Sequence, residues 1–131
     1  MFSRGYMLAW IAGLFLVIDT YGHITRAYVT TPNIDISTHL LFGAWLALFF
    51  IYRNDSIERS WVFAYVLLFG LGWELFEYIY DHLYAIPHHV TLAQHGIGDT
   101  TKDIIDNSIG ALVSIALFKK PTREREPTEL I

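Results

Sequence analysis

The apolar residues of this chain gather into four blocks: about Tyr6 to Ile24, Ile36 to Tyr52, Trp61 to Leu83, and Asp103 to Phe118, the last extendable back to Asp99. Runs such as "LLFGAWLALFFIY" and "WVFAYVLLFGLGW" are apolar on every side, whereas a helix facing water keeps a polar stripe. Each block is about 16 to 23 residues long, and at about 1.5 Å of rise per residue it crosses most or all of a hydrocarbon core about 30 Å thick. The pattern predicts an all-α integral membrane bundle of four transmembrane helices over residues 1–118, followed by a charged, disordered tail over 119–131. The links "TRAYVTTPNID" and "RNDSIERS" are short and polar, as between antiparallel neighbours, while "YAIPHHVTLAQHGIGD" is longer and carries Pro87, Gly96 and Gly98. The first block has no small-x-small cleavage site and is interrupted by Asp19 and His23, so it reads as a helix of the protein and not as a signal peptide.

Charge orients the bundle. Arg4, Arg53, Arg59, Lys119, Lys120, Arg123 and Arg125 fall on one side of a four-span topology, and only Arg26 and Lys102 on the other. Basic residues collect on the cytoplasmic face, so both termini are expected there, in a multi-pass protein of the inner (cytoplasmic) membrane. The whole chain of 131 residues has 13 acids, 9 bases and a net charge of −4. Split by this topology, the cytoplasmic side sums to +2 and the outer end to −6. No positive footprint of the kind nucleic acid requires is present, so no nucleic-acid partner is expected. The absence of cysteine removes thiolate catalysis and cysteine-ligated metal sites, leaving oxygen and imidazole as the available ligands.

The informative residues are those that do not belong in lipid. Asp19 and His23 end the first block, and Asp35 and His39 begin the second, with Gly43 next on the same face. Glu74, Glu77 and Asp81 lie at i, i+3, i+7 in the third, and Asp99, Asp103, Asn107 and Gly110 follow one stripe into the fourth. An up-and-down threading brings all four stripes to the outer leaflet. A carboxylate near the bilayer centre costs about 2.5 to 3.5 kcal/mol on insertion scales, and two outer cations do not neutralise eight outer acids. Protonation, hydrogen bonding to His23, His39 and Asn107, or a bound divalent cation can offset that cost. The cation answers the charge problem most directly. His39, Glu74, Glu77 and Asp103 are the expected metal ligands, with Asp19, His23, Asp35, Asp99 and Asn107 as remaining ligands or the groups that orient them.

Plainer roles fit several of these residues. Asp35 also suits the N-cap of its helix, and Asp99 or Asp103 that of the last. Asp81 suits a solvated interface, and His82, His88, His89 and His95 suit the loop. Asp106 lies off the Asp99/Asp103/Asn107 stripe. Gly70, Gly72 and Gly110 suit close helix contact.

The elements "DISTHLLFG", "WELFEY" and "GDTTKDIIDNSIGA", in that order over roughly residues 35 to 115, are similar to those of the YjdF-like family of small integral membrane proteins. That family shows an Asp-x3-His-x3-Gly element (here Asp35, His39, Gly43), a Glu-x-x-Glu pair (Glu74, Glu77) and a Gly-Asp-x3-Asp-x6-Gly element (Gly98, Asp99, Asp103, Gly110). The Asp103, Asn107, Gly110 piece also resembles the VanZ-like family. The resemblance implies the membrane architecture and the polar site, and no particular reaction.

The expected function is therefore a carboxylate/histidine metal site at the extracytoplasmic end of the bundle, taking zinc, manganese, iron or magnesium. As an enzyme it would catalyse metal-assisted hydrolysis of a lipid-linked or amphipathic substrate, with Glu74 or Glu77 as general base. A proton- or cation-coupled transporter or channel subunit is the alternative. It would need an oligomer or a moving bundle, because "LALFFIY", "VFAYVLLF" and "VSIALF" are unbroken by polar groups. A non-catalytic structural or accessory membrane protein, its polar cluster fixing helix register, is the third.

Overall fold

A computed structural model describes residues 4–54, 56–93 and 95–118. The tail expected over 119–131 lies outside the described residues. Every apolar block forms a helix: α1 (Arg4–Thr25), α3 (Pro32–Arg53), α4 (Arg59–Tyr80) and α6 (Ile97–Leu117) are long, while α2 (Ala27–Thr30) and α5 (Ile86–His88) are single turns. No strand occurs among the described residues. The helices α1, α3 and α4 each have 22 residues, about 33 Å at about 1.5 Å per residue, and are long and apolar enough to cross a membrane. With 21 residues α6 is nearly as long, but Asp99, Lys102, Asp103 and Asp106 load its first half with charge. By length and composition the described residues therefore hold three candidate spans and a fourth, charged helix.

The helix boundaries have local causes. Arg26 takes a left-handed conformation (φ 57°) and separates α1 from α2. At the start of α3, Pro32 needs no intrahelical partner for an N–H it lacks. Arg53 in the last turn and Asp35 in the first both complement the helix dipole. Beyond Tyr80 the helical chain does not stop where the loop was expected. A π-helical turn, Asp81–Ala85, carries it into α5, and it ends only at His89 (φ 53°). Pro87 explains the wide turn: in α register its ring would meet the carbonyl of Leu83, and widening the preceding turn relieves this. The loop expected over 84–98 thus shrinks to 89–96.

The long helices do not share one axis equally. On one side α3 carries α1, on the other it packs against α6 and α4, and α1 reaches neither α4 nor α6 among the described residues. Trp45 on α3 donates its indole N–H to the Leu8 carbonyl at 3.1 Å, and the Phe15 and Phe42 rings meet at 5.9 Å. The α3–α6 contact is the most extensive and has backbone on backbone. A Cβ added to Gly43 would lie 2.0 Å from the Asn107 carbonyl oxygen, and one added to Gly110 would lie 2.1 Å from that of Leu40. Ala44 and Ser114 then Tyr52 and Phe118 follow in the same order along the two helices, so α3 and α6 run parallel. By contrast Gly72, expected to pack against a helix, has none of the described residues within 4 Å of an added Cβ.

The apolar core occupies the Arg53 end of the bundle, where Leu46, Ala47 and Ile51 meet Val62 and Val66 of α4 and Ala111 and Ile115 of α6. Outward, Trp10, Leu16, Val17, Leu68, Leu71 and Leu112 are exposed. Such a surface suits hydrocarbon rather than water.

Candidate metal centre

The close α3–α6 approach determines what can meet at the other end of the bundle. Asp35 and His39 are one turn apart on α3, and Asp103 and Asn107 one turn apart on α6, on the faces that Gly43 and Gly110 draw together. His39 Nε2 lies 3.5 Å from Asp35 Oδ1 and 3.6 Å from Asp103 Oδ1. One donor atom from each of Asp35, His39 and Asp103 lies within 4.8 Å of the other two, the spacing of a candidate metal site. On its far side the imidazole faces Asn107, whose Nδ2 is 3.3 Å from His39 Nδ1. With the amide donating there, the neutral imidazole carries its proton on Nε2, toward the carboxylates; this tautomer is assigned from the hydrogen bonds. Asn107 is 2% exposed, and among the described residues its Oδ1 has no hydrogen-bond partner.

Asp35 is not the cap of α3: the cap position is Thr31, and Asp35 sits inside the first turn. Likewise the cap position of α6 is Gly96, with Asp99 in the first turn and Asp103 a full turn further on. Removing the capping role leaves Asp35 and Asp103 as groups held against one another inside the bundle, where each costs more than it would in water.

Lys102 and Asp106 were not foreseen as parts of this site. The Lys102 ammonium contacts both Asp35 and Asp103 directly and lies 3.9 Å from Asp99 Oδ1 and 3.9 Å from Asp106 Oδ2. Asp106 is buried, because the inward face of α6 is wider than one stripe: it takes in Asp103, Asp106, Asn107, Gly110, Ala111, Ser114 and Ile115. A helix packed between two neighbours buries an i, i+3, i+4, i+7 band. The i−3 and i+4 spacing of Asp99 and Asp106 about Lys102 was the available signal. Four carboxylates thus surround one ammonium, an arrangement still strongly negative with a neutral imidazole.

Glu74 is buried on the inward stripe of α4, after Val62, Val66 and Gly70, and its charge acts on His39. Glu77 accepts a hydrogen bond from the Trp73 indole at 2.8 Å and lies within electrostatic reach of Glu74, His39 and Asp103. Both glutamates flank the Asp35/His39/Asp103 group without belonging to its tight circle of donors. Gly70 leaves room for the Asn107 amide, with 3.3 Å from an added Cβ to Nδ2.

Asp19 and His23 have another partner. The Tyr28 hydroxyl donates to Asp19 Oδ1 at 2.8 Å, His23 Nε2 is 3.6 Å from the same oxygen, and the Tyr28 ring lies over Gly22. Burial, and then the Asp19 carboxylate, push the Tyr28 phenol well above its ordinary pKa. This pair fastens α2 to α1 beside the metal-type grouping, with Thr38 and Asp35 of α3 also acting on the Tyr28 hydroxyl. Asp81 is buried and accepts the Ala93 N–H at 2.8 Å, tying the 89–96 loop back onto the π turn. His82 and His88 bond to carbonyls one turn back, at 2.9 and 2.8 Å, and His95 pairs with Asp99 at 3.4 Å.

No curated protein matches the chain, and no solved structure does. The family model described as "Predicted membrane protein (DUF2238)" matches residues 2–123, nearly the full length, and the chain belongs to that family.

Proposed function

We propose that this protein is a four-span membrane protein, with both termini cytoplasmic, that holds a divalent cation on Asp35, His39 and Asp103 at the extracytoplasmic end of its bundle. In this reading the DUF2238 family is the YjdF-like one, α6 is the fourth span, and the protein resides in the inner membrane. The observation that carries the reading is the convergence, across two helices, of two carboxylates and an imidazole within 4.8 Å. Charge supports it: a divalent ion offsets the surplus that four aspartates leave around one ammonium. Zinc, manganese, iron and magnesium all accept this donor set in some proportion.

The chemistry such a centre suits is hydrolysis of an amphipathic or lipid-linked ester. The water oxygen bonds to the acyl or phosphoryl centre, its proton passes to Glu77, and the leaving group departs with that proton. Glu77 is preferred to Glu74 as the base because it is only half-buried and keeps one oxygen outside its bond to Trp73. A conduit is less well supported, since Leu46, Ile51, Val62, Val66 and Ile115 close the bundle beneath the site.

The test is elemental mass spectrometry on the protein purified in detergent. One divalent ion per chain is expected in wild type and none in His39→Ala, with Glu74→Gln retaining the ion. A wild type that folds normally and takes up no metal overturns the reading. Orientation is checked separately with a cysteine placed in the 89–96 loop, which impermeant reagents should label from outside the cell.

A further inference from the structure

We infer that Lys102 is a tethered counter-cation, which occupies the seat between Asp35 and Asp103 in the ion-free protein and withdraws onto Asp99 and Asp106 when a divalent ion enters. This rests on the metal-site reading above and adds how the site is filled.

The Lys102 ammonium lies where an ion shared by the two carboxylates would lie, so the two cannot be present together. Its side chain is 37% exposed, against 3% for Asp103, so it enters from the rim on a flexible four-carbon stem. A place to withdraw to is already in reach: Asp99 Oδ1 and Asp106 Oδ2, one turn away on either side along the same helix, are each 3.9 Å from the ammonium. A small swing exchanges one pair of carboxylates for the other. The aspartates inside the bundle are therefore never left without a cation, a state that a low-dielectric setting strongly disfavours.

A second observation, independent of the acidic cluster, points to the same exchange. Asn107 is almost fully buried against His39, with Oδ1 lacking a hydrogen-bond partner among the described residues. With Lys102 in the seat the amide nitrogen faces Nδ1, and the imidazole proton sits on Nε2, toward the seat. A metal on Nε2 requires that proton on Nδ1, and turning the Asn107 amide then gives Nδ1–H an acceptor and the orphan oxygen a partner. Binding thus replaces an ammonium and an N–H with one ion. The exchange would favour divalent ions: a monovalent ion gains no more from the carboxylates than the ammonium it displaces, whereas a divalent one gains about twice as much and adds the imidazole bond.

The experiment uses the full chain in detergent with Mn²⁺ as the probe. Amine acetylation by an impermeant active ester, read by peptide mass spectrometry, reports the freedom of Lys102, with Lys119 and Lys120 as internal references. Saturating Mn²⁺ is expected to speed acetylation of Lys102 severalfold and leave the references unchanged; an unchanged or slower rate in Mn²⁺-loaded protein overturns the inference. In a parallel titration Lys102→Gln is expected to bind Mn²⁺ about tenfold more tightly than wild type, and Lys102→Arg no more tightly. Equal affinity in wild type and Lys102→Gln overturns the tether and leaves the metal site standing. Failure of both to bind Mn²⁺ overturns the two together. If Lys102→Gln does not fold, the acetylation rates in wild type decide.

Discussion

The same three helices, α3, α4 and α6, meet in opposite ways at their two ends. Toward Arg53 they meet through Leu46, Ala47, Ile51, Val62, Val66, Ala111 and Ile115; toward Asp35 they meet through Asp35, His39, Glu74, Asp103, Asp106 and Asn107. In lipid the apolar end gains little by excluding hydrocarbon from hydrocarbon, so shape complementarity and close contact hold it together. The polar end gains nothing from lipid at all: each of its charges is costly unless another group or an ion answers it. Gly43 and Gly110 sit where the two regimes meet. The apolar end resembles a core that any well-fitting residues could fill, whereas the polar end has a demand on chemistry that points to function.

The most severe way to break this comparison is to push α3 and α6 apart. Gly110→Leu or Gly43→Leu should abolish folding or cost more than about 3 kcal/mol, since even a Cβ would overlap the facing backbone at 2.0 to 2.1 Å. Both ends should fail together, as detergent unfolding and loss of metal content. Val66→Ala should damage the apolar end alone. A buried side chain with no exposure loses about 1 to 3 kcal/mol on truncation, and cation affinity should stay within about twofold. Asp103→Asn should do the reverse, retaining the fold while lowering divalent affinity by about 100-fold or more, because the proposed site loses a donor and not merely a group that orients one.

Smaller effects mark the edges of the account. Tyr28→Phe removes the hydrogen bond to Asp19 and should cost about 1 kcal/mol while changing cation affinity by no more than about twofold, since the phenol donates to Asp19 and not to Asp35. The sign with pH is fixed by the raised phenol: a group with a higher folded than unfolded pKa stabilises fully below the unfolded value of about 10 and loses that contribution as pH rises through the folded one. Wild type should therefore lose stability above pH about 10 more than Tyr28→Phe does. Gly72→Ala, with none of the described residues within 4 Å of the new methyl group, should change stability by no more than about 0.5 kcal/mol and bounds the glycine effect from below.

Much of this contrast was legible in the chain. Apolar runs alone locate the four long helices, and periodicity places Asp35 with His39, Glu74 with Glu77, and Asp103 with Asn107 on their respective faces. What periodicity cannot give is which faces touch. An equal-sided bundle would carry Asp19 and His23 to the common site, but Trp45 and Phe42 dock α1 on α3 alone, and Tyr28 takes Asp19 for itself. Asp106 falls outside a single i, i+4 stripe because α6 buries a broader band between two neighbours. Lys102 was hidden for a different reason: its stem is long enough to reach α3 from the rim, and no spacing rule fixes where such a side chain ends. The π turn before Pro87 likewise has no signature except the proline itself.

The most direct test of the central claim, that the α3–α6 contact builds a cation site around His39, is pulsed electron paramagnetic resonance of Mn²⁺ bound to the purified protein. Modulation from one imidazole nitrogen is expected in wild type, persisting in Glu74→Gln and absent from His39→Ala. Bound Mn²⁺ that shows no nitrogen coupling, or coupling that survives His39→Ala, would contradict the claim.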